Sequence, residues 1–128
     1  MDILLDTTVL IDALRNRKDR RALLAECVRA GHALMTTGLN IAEVYSGMRL
    51  QEEEATSVFL DQLGCYDTTA EIGRLGGRLK NQWALRGRTL SLIDAIIAAT
   101  AITHRCTLMT DNDRHFPMPE LSKFSMPK

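Results

Sequence analysis

Four short apolar runs, at residues 2–5, 33–36, 65–67 and 107–110, alternate along the chain with segments of helical periodicity. Strands separated by helices cannot pair as hairpins; they lie parallel in one sheet with helices covering both faces. Residues 7–14 carry Val9, Leu10, Ala13 and Leu14 at helical spacing, and 19–30 carry Ala22, Leu23 and Cys27, with Gly31 at a helix-ending C′ position. Further helices are expected at 41–50, 52–63, 69–85 and 92–103. Gly73, Gly76 and Gly77 weaken the fifth of these segments. The tail, with Pro117, Pro119 and Pro127, is expected to be irregular apart from a last strand near Phe124. The expectation is an α/β fold, with residues 1–128 forming a single domain.

Aromatic residues are only 5% of the chain, so the core has to be aliphatic and rich in alanine, which suits helices on a sheet better than a β-sandwich. Cys27, Cys65 and Cys106 are odd in number and far apart, which argues against a disulfide framework and a zinc site; they read as three small buried hydrophobes. The opening apolar run, Ile3 to Leu5, is too short for a signal peptide or a membrane span, so a cytoplasmic protein without membrane contact is expected. Sixteen basic residues balance sixteen acidic ones, and net charge therefore says nothing for a nucleic-acid partner. Two basic clusters, Arg15, Arg17, Lys18, Arg20 and Arg21, and Arg74, Arg78, Lys80, Arg86 and Arg88, read as solvated faces or as RNA-contacting surfaces.

In parallel sheets ligands bind beyond the carboxyl ends of the strands. Acids stand in those places here. Asp6 follows the first strand, Glu43 lies in the helix after the second, Asp94 opens the Ala/Ile-rich helix, and Asp111 and Asp113 follow the last main strand. Several carboxylates at one edge repel one another unless a cation neutralises them, and hard divalent cations take such oxygen ligands. Each acid also has a structural reading. Asp6 suits a helix N-cap, Asn40-x-x-Glu43 and Ser91-x-x-Asp94 resemble capping boxes, and Asp111 and Asp113 suit a turn. A calcium loop from Asp111 is excluded by Phe116 at its sixth position and Ser122 at its twelfth. His32, His104 and His115 lack metal-ligand spacing; His104 suits a helix C-terminus.

The segments around these acids resemble PIN-domain proteins, in particular the VapC-type toxins of prokaryotic toxin–antitoxin pairs. Leu4-Leu5-Asp6-Thr7-Thr8-Val9 is similar to the opening motif, Asn40-Ile41-Ala42-Glu43-Val44 to the second, Ser91-Leu92-Ile93-Asp94-Ala95 to the third, and Thr110-Asp111-Asn112-Asp113-Arg114-His115-Phe116 to the fourth. The resemblance implies a PIN-like three-layer α/β/α sandwich with a central parallel sheet. It also implies an endoribonuclease dependent on Mg²⁺ or Mn²⁺, in which metal-activated water attacks the RNA phosphate. Asp6 and Asp94 are then the principal metal ligands and Glu43 completes the cluster, with Thr7, Ser91 and Thr110 as orienting hydroxyls. In the fourth motif the position that is Asp in many members is Asn112 here, so either Asp113 supplies the carboxylate or three acids suffice. A cognate antitoxin that blocks the cleft, and a homodimer, are the implied partners besides RNA.

Three rival readings remain. A receiver-type signalling domain needs an acidic pair near the first strand and a lysine after the last, and the chain lacks that lysine. A haloacid-dehalogenase phosphatase needs a second acid where Thr8 stands. A catalytically inactive PIN scaffold is opposed by the intact trio Asp6, Glu43 and Asp94.

Overall fold

A computed structural model describes residues 1–127. The sheet contains β1 (Asp2–Leu5), β2 (Ala33–Thr37), β3 (Gly64–Tyr66) and β4 (Thr107–Met109) in the order β3-β2-β1-β4, with every pairing parallel. Between them run α1 (Thr7–Leu14), α2 (Arg20–Arg29), α3 (Gly38–Gly47), α4 (Glu53–Asp61), α5 (Ala70–Leu85) and α6 (Leu92–His104). Near Phe124 the tail forms an isolated parallel bridge between Leu108 and Lys123 rather than a full strand. None of the described helices is long and apolar enough to cross a membrane.

The period of two along β1 explains the layering. Ile3 and Leu5 join a core with Val9, Leu10, Leu24, Val44 and Leu60 from α1 to α4, while Leu4 faces Ile72, Leu79, Ile97 and Ala98 from α5 and α6. All three strand residues are fully buried, so β1 is the centre of a three-layer sandwich. The chain moves from β1 outward through β2 to β3 and then crosses to β4 on the other side of β1. That reversal creates a crevice beyond the carboxyl ends of β1 and β4.

Two expectations change. The third helix begins at Gly38, capped by the Thr37 hydroxyl, which accepts from the Asn40 amide at 3.3 Å; Asn40 is inside the first turn and is not its cap. Cys65 is exposed, whereas Cys27 and Cys106 are buried as expected. The glycines do not break α5. Gly76 is buried against α6, and a Cβ there would lie 2.9 Å from Ile96 Cγ1 and 3.1 Å from Ile96 Cα. Gly77 has open space around it. We therefore expect Gly76→Ala to destabilise by about 1–3 kcal/mol through overpacking. Gly77→Ala should stabilise by about 0.5–1 kcal/mol by restricting the unfolded chain. Urea unfolding midpoints check both; equal shifts for the two variants would contradict the close approach of α5 to α6.

Candidate active site

Asp6 stands where β1 gives way to α1, with β-region backbone angles and only 5% exposure. It is the N-cap the sequence suggested, its Oδ1 accepting from the Thr7 amide at 2.9 Å. Its Oδ2 accepts from the Thr110 hydroxyl, beyond β4, at 2.7 Å. Thr110 also accepts from the Asn112 amide at 2.9 Å, so one hydroxyl couples the ends of the two neighbouring strands. Across β2, Asn40 is fully buried and donates through Nδ2 to the Thr7 hydroxyl at 3.0 Å, which in turn donates to Glu43 Oε1 at 2.6 Å. The Thr37 hydroxyl fixes the Asn40 amide by donating to Oδ1 at 2.6 Å. This chain of donors sets the direction in which Glu43 points.

Asp94 enters from the other layer, in the first turn of α6, where Ser91 accepts from its backbone amide at 3.0 Å. Its carboxylate does not complete a capping box; Oδ2 lies 3.3 Å from His115 Nδ1. Ser91 therefore positions the backbone of Asp94, while Thr7 and Thr110 act on carboxylates directly.

Burial pushes the Asp6 carboxyl up from the ordinary aspartate value of 3.8, and the negative charges of Asp94 and Glu43 add to the rise. The hydrogen bonds from Thr110 and Thr7 pull it down without cancelling the effect. An acid whose pKa is raised on folding contributes stability that is complete below the unfolded value and is lost as pH rises through the folded value. Metal-free protein should therefore gain stability from this group as the pH falls from neutrality toward 3.8. Asp6→Asn should lose that component, and urea midpoints measured in chelator across the range check it. Identical pH profiles for the two proteins would contradict the coupling.

The fourth motif sends its two acids to different basic partners. Asp113 is 80% exposed in its side chain and pairs with Lys123 Nζ at 3.1 Å, outside the group around Asp6. Asp111 turns inward to Arg20, Nη2 to Oδ1 at 2.7 Å, and Arg20 also donates to the Lys18 carbonyl at 3.1 Å. Asn112 sits between them, tied by its backbone to Thr110. Arg20 and Asn40 are the residues the sequence did not reveal. A Thr37-x-x-Asn40 spacing signals the cap, but nothing local announces an ion pair spanning 91 positions.

The first basic cluster is largely committed within the molecule. Arg15 pairs with Glu52 at 3.3 Å, Lys18 lies 3.6 Å from Asp12, Arg20 is buried, and Arg21 donates to the Ala13 and Leu14 carbonyls that end α1. These contacts give Arg15, Arg20 and Arg21 structural roles, while Arg17 and Lys18 stay exposed.

Among the described residues, no three His, Cys, Asp or Glu side chains close on a point tightly enough to be a ready-made ion cage. The donor set nevertheless suits a hard divalent cation that keeps several waters and needs only one or two carboxylates directly. An acid raised by burial, with two further negative charges adding to the rise, is a place where positive charge is favoured.

The molecule is thus a three-layer α/β domain with a hydroxyl-braced carboxylate site at its switch point. A model of the PIN domain matches residues 3–120, and the chain belongs to that family. It is 37% identical over 119 residues to Ribonuclease VapC19 of Mycobacterium tuberculosis, covering 92% of this chain and 95% of the relative. Identity to Ribonuclease VapC10 of the same organism is 32% over 127 residues, covering 98% and 95%. The crystal structure of VapBC2 from Rickettsia felis, bound to a DNA fragment from its promoter, superposes with a TM-score of 0.87. It covers 99% of this chain and 100% of that one at 22% identity, a likeness of fold.

Proposed function

We propose that this protein is an endoribonuclease, the toxin of a toxin–antitoxin pair, in which Asp6, Glu43 and Asp94 hold Mg²⁺ or Mn²⁺ against an RNA phosphate. The observation that carries the reading is that Thr7 joins two acids from different elements, its amide donating to buried Asp6 and its hydroxyl to Glu43, in a chain related to named ribonucleases. A divalent cation bound there supplies Lewis acidity toward the phosphate and lowers the pKa of water. The chain's own groups do the rest. Thr110 and the Thr7 amide hold both oxygens of Asp6 in place, and the Asn40–Thr7 relay aims Glu43. Asp94 arrives on the rigid start of a buried helix. Asn112 adds hydrogen-bonding capacity without charge, which favours three carboxylates and one ion; Asp113 takes no part.

The reading includes a cognate antitoxin and a homodimer. A groove of about 580 Å³ with an apolar floor of Leu14, Ala55, Val58 and Phe59 and a polar rim that includes Arg21 and Glu54 supports a protein partner. The test is incubation of a mixed cellular RNA pool with Mg²⁺, with Mn²⁺ and with chelator. Discrete products in either metal, absent with chelator and suppressed by the antitoxin, are expected. Intact RNA under every condition, from folded protein free of antitoxin, would leave the inactive scaffold as the better reading.

A further inference from the structure

Beside Asp94 a cavity of about 220 Å³ opens between the α5–α6 loop and the turn after β4, lined by Arg88, Thr89, Ser91, Arg114 and His115. Its chemistry differs from that of the carboxylate cluster. Two guanidinium groups and two hydroxyls line it, and the one acid in its wall is Asp94, which faces His115 at 3.3 Å. Arg88 is half-buried and donates through Nη2 to the Arg114 carbonyl, so the loop before α6 is latched to the fourth motif. Arg114 itself is exposed and lines the same cavity. A guanidinium fork binds phosphate and carboxylate oxygens bidentately, and in a ribonuclease the anion that reaches two arginines beside the acids is the RNA phosphodiester.

We propose that this cavity is a subsite for the RNA phosphate next to the scissile one, with Arg88 and Arg114 as its binding residues. The inference rests on the ribonuclease reading and adds to it a place for the flanking nucleotide. Because Asp94 forms one wall of the cavity and belongs to the carboxylate cluster, a backbone held here passes directly to the acids. The subsite thereby sets the register of the strand. The basic residues that count are in the α5–α6 loop and the fourth motif rather than in the Arg15 to Arg21 segment, where Arg15, Arg20 and Arg21 have internal partners.

The experiment is a salt titration of binding to a fluorescein-labelled single-stranded RNA of mixed sequence, in chelator to prevent cleavage, read by anisotropy. Each phosphate contact on a single strand adds about 0.7 to the slope of log affinity against log salt. Arg114→Ala, a change at an exposed residue, should reduce the slope by about 0.7, and Arg88→Ala combined with it by about 1.4. Lysine at both positions should restore most of the slope, which a purely structural role for Arg88 would not allow. Arg74→Ala with Arg78→Ala, both exposed on α5, is the control and should leave the slope unchanged. If the wild type cleaves RNA but the Arg88/Arg114 variants keep its slope, the subsite is wrong and the ribonuclease reading survives. An equal fall in the Arg74/Arg78 control also overturns the subsite, since binding then follows an undirected field. If the wild type neither binds nor cleaves RNA, both fail together.

Discussion

Asp94→Asn is expected to reduce RNA cleavage about a thousandfold while leaving the protein folded. The substitution keeps the volume of the side chain and removes the charge. A cation at such a site supplies several kcal/mol of transition-state stabilisation, and each 1.36 kcal/mol is a factor of ten in rate. The fold has little reason to suffer. Ser91 caps α6 through the Asp94 backbone, a bond the substitution leaves intact, and one source of repulsion on Asp6 disappears. Comparison of initial rates with the wild type, alongside thermal unfolding, checks both halves. Wild-type rates in a well-purified variant would remove Asp94 from the site.

The second large effect is expected at a residue remote from the acids in sequence. Arg20→Ala should destabilise the protein by about 3 kcal/mol, at the lower end for breaking a buried ion pair because Asp111 keeps 20% of its side chain exposed. The loss comes chiefly from leaving the Asp111 carboxylate without its partner, and Asp111 Oδ2 already lacks one. The Arg20 bond to the Lys18 carbonyl is lost too, in a loop where Asn16, Lys18 and Asp19 all hold left-handed backbone angles. Replacing both members by apolar residues, Arg20→Met with Asp111→Leu, should cost much less than the single change. Urea unfolding of the single and paired variants decides the matter; a single-variant loss below about 1 kcal/mol would show the pair to be no better than a surface bridge.

These two residues also mark what the sequence could and could not convey. Asp6 was legible because strand ends are local signals, and Asp94 because Ser91-x-x-Asp94 marks a helix start. A short apolar run followed by an acid identifies a carboxyl edge, and several such edges imply one site in a parallel sheet. The unbroken apolar run Ile3, Leu4 and Leu5 likewise announced a strand buried on both faces. Arg20 was hidden for the opposite reason. It sits among four other basic residues that look like a solvated face, and its partner lies on the far side of the chain. The same non-locality concealed the strand order, the relay from Asn40 through Thr7 to Glu43, and the division of labour between Asp111, Asn112 and Asp113. The helix over 69–85 was legible despite its glycines, but the reason for Gly76 was not, since it answers to Ile96 on the neighbouring helix.

The account stands or falls on whether the acids around Asp6 hold the cation that cleavage requires. The most direct measurement is the rate of RNA cleavage as a function of free Mn²⁺ for the wild type and Glu43→Gln. A saturable dependence in the wild type is expected, with at least a tenfold higher half-saturating concentration in the variant, as a factor of ten corresponds to about 1.4 kcal/mol of lost cation affinity. Cleavage that persists undiminished in chelator, or half-saturation unchanged by Glu43→Gln, would contradict it.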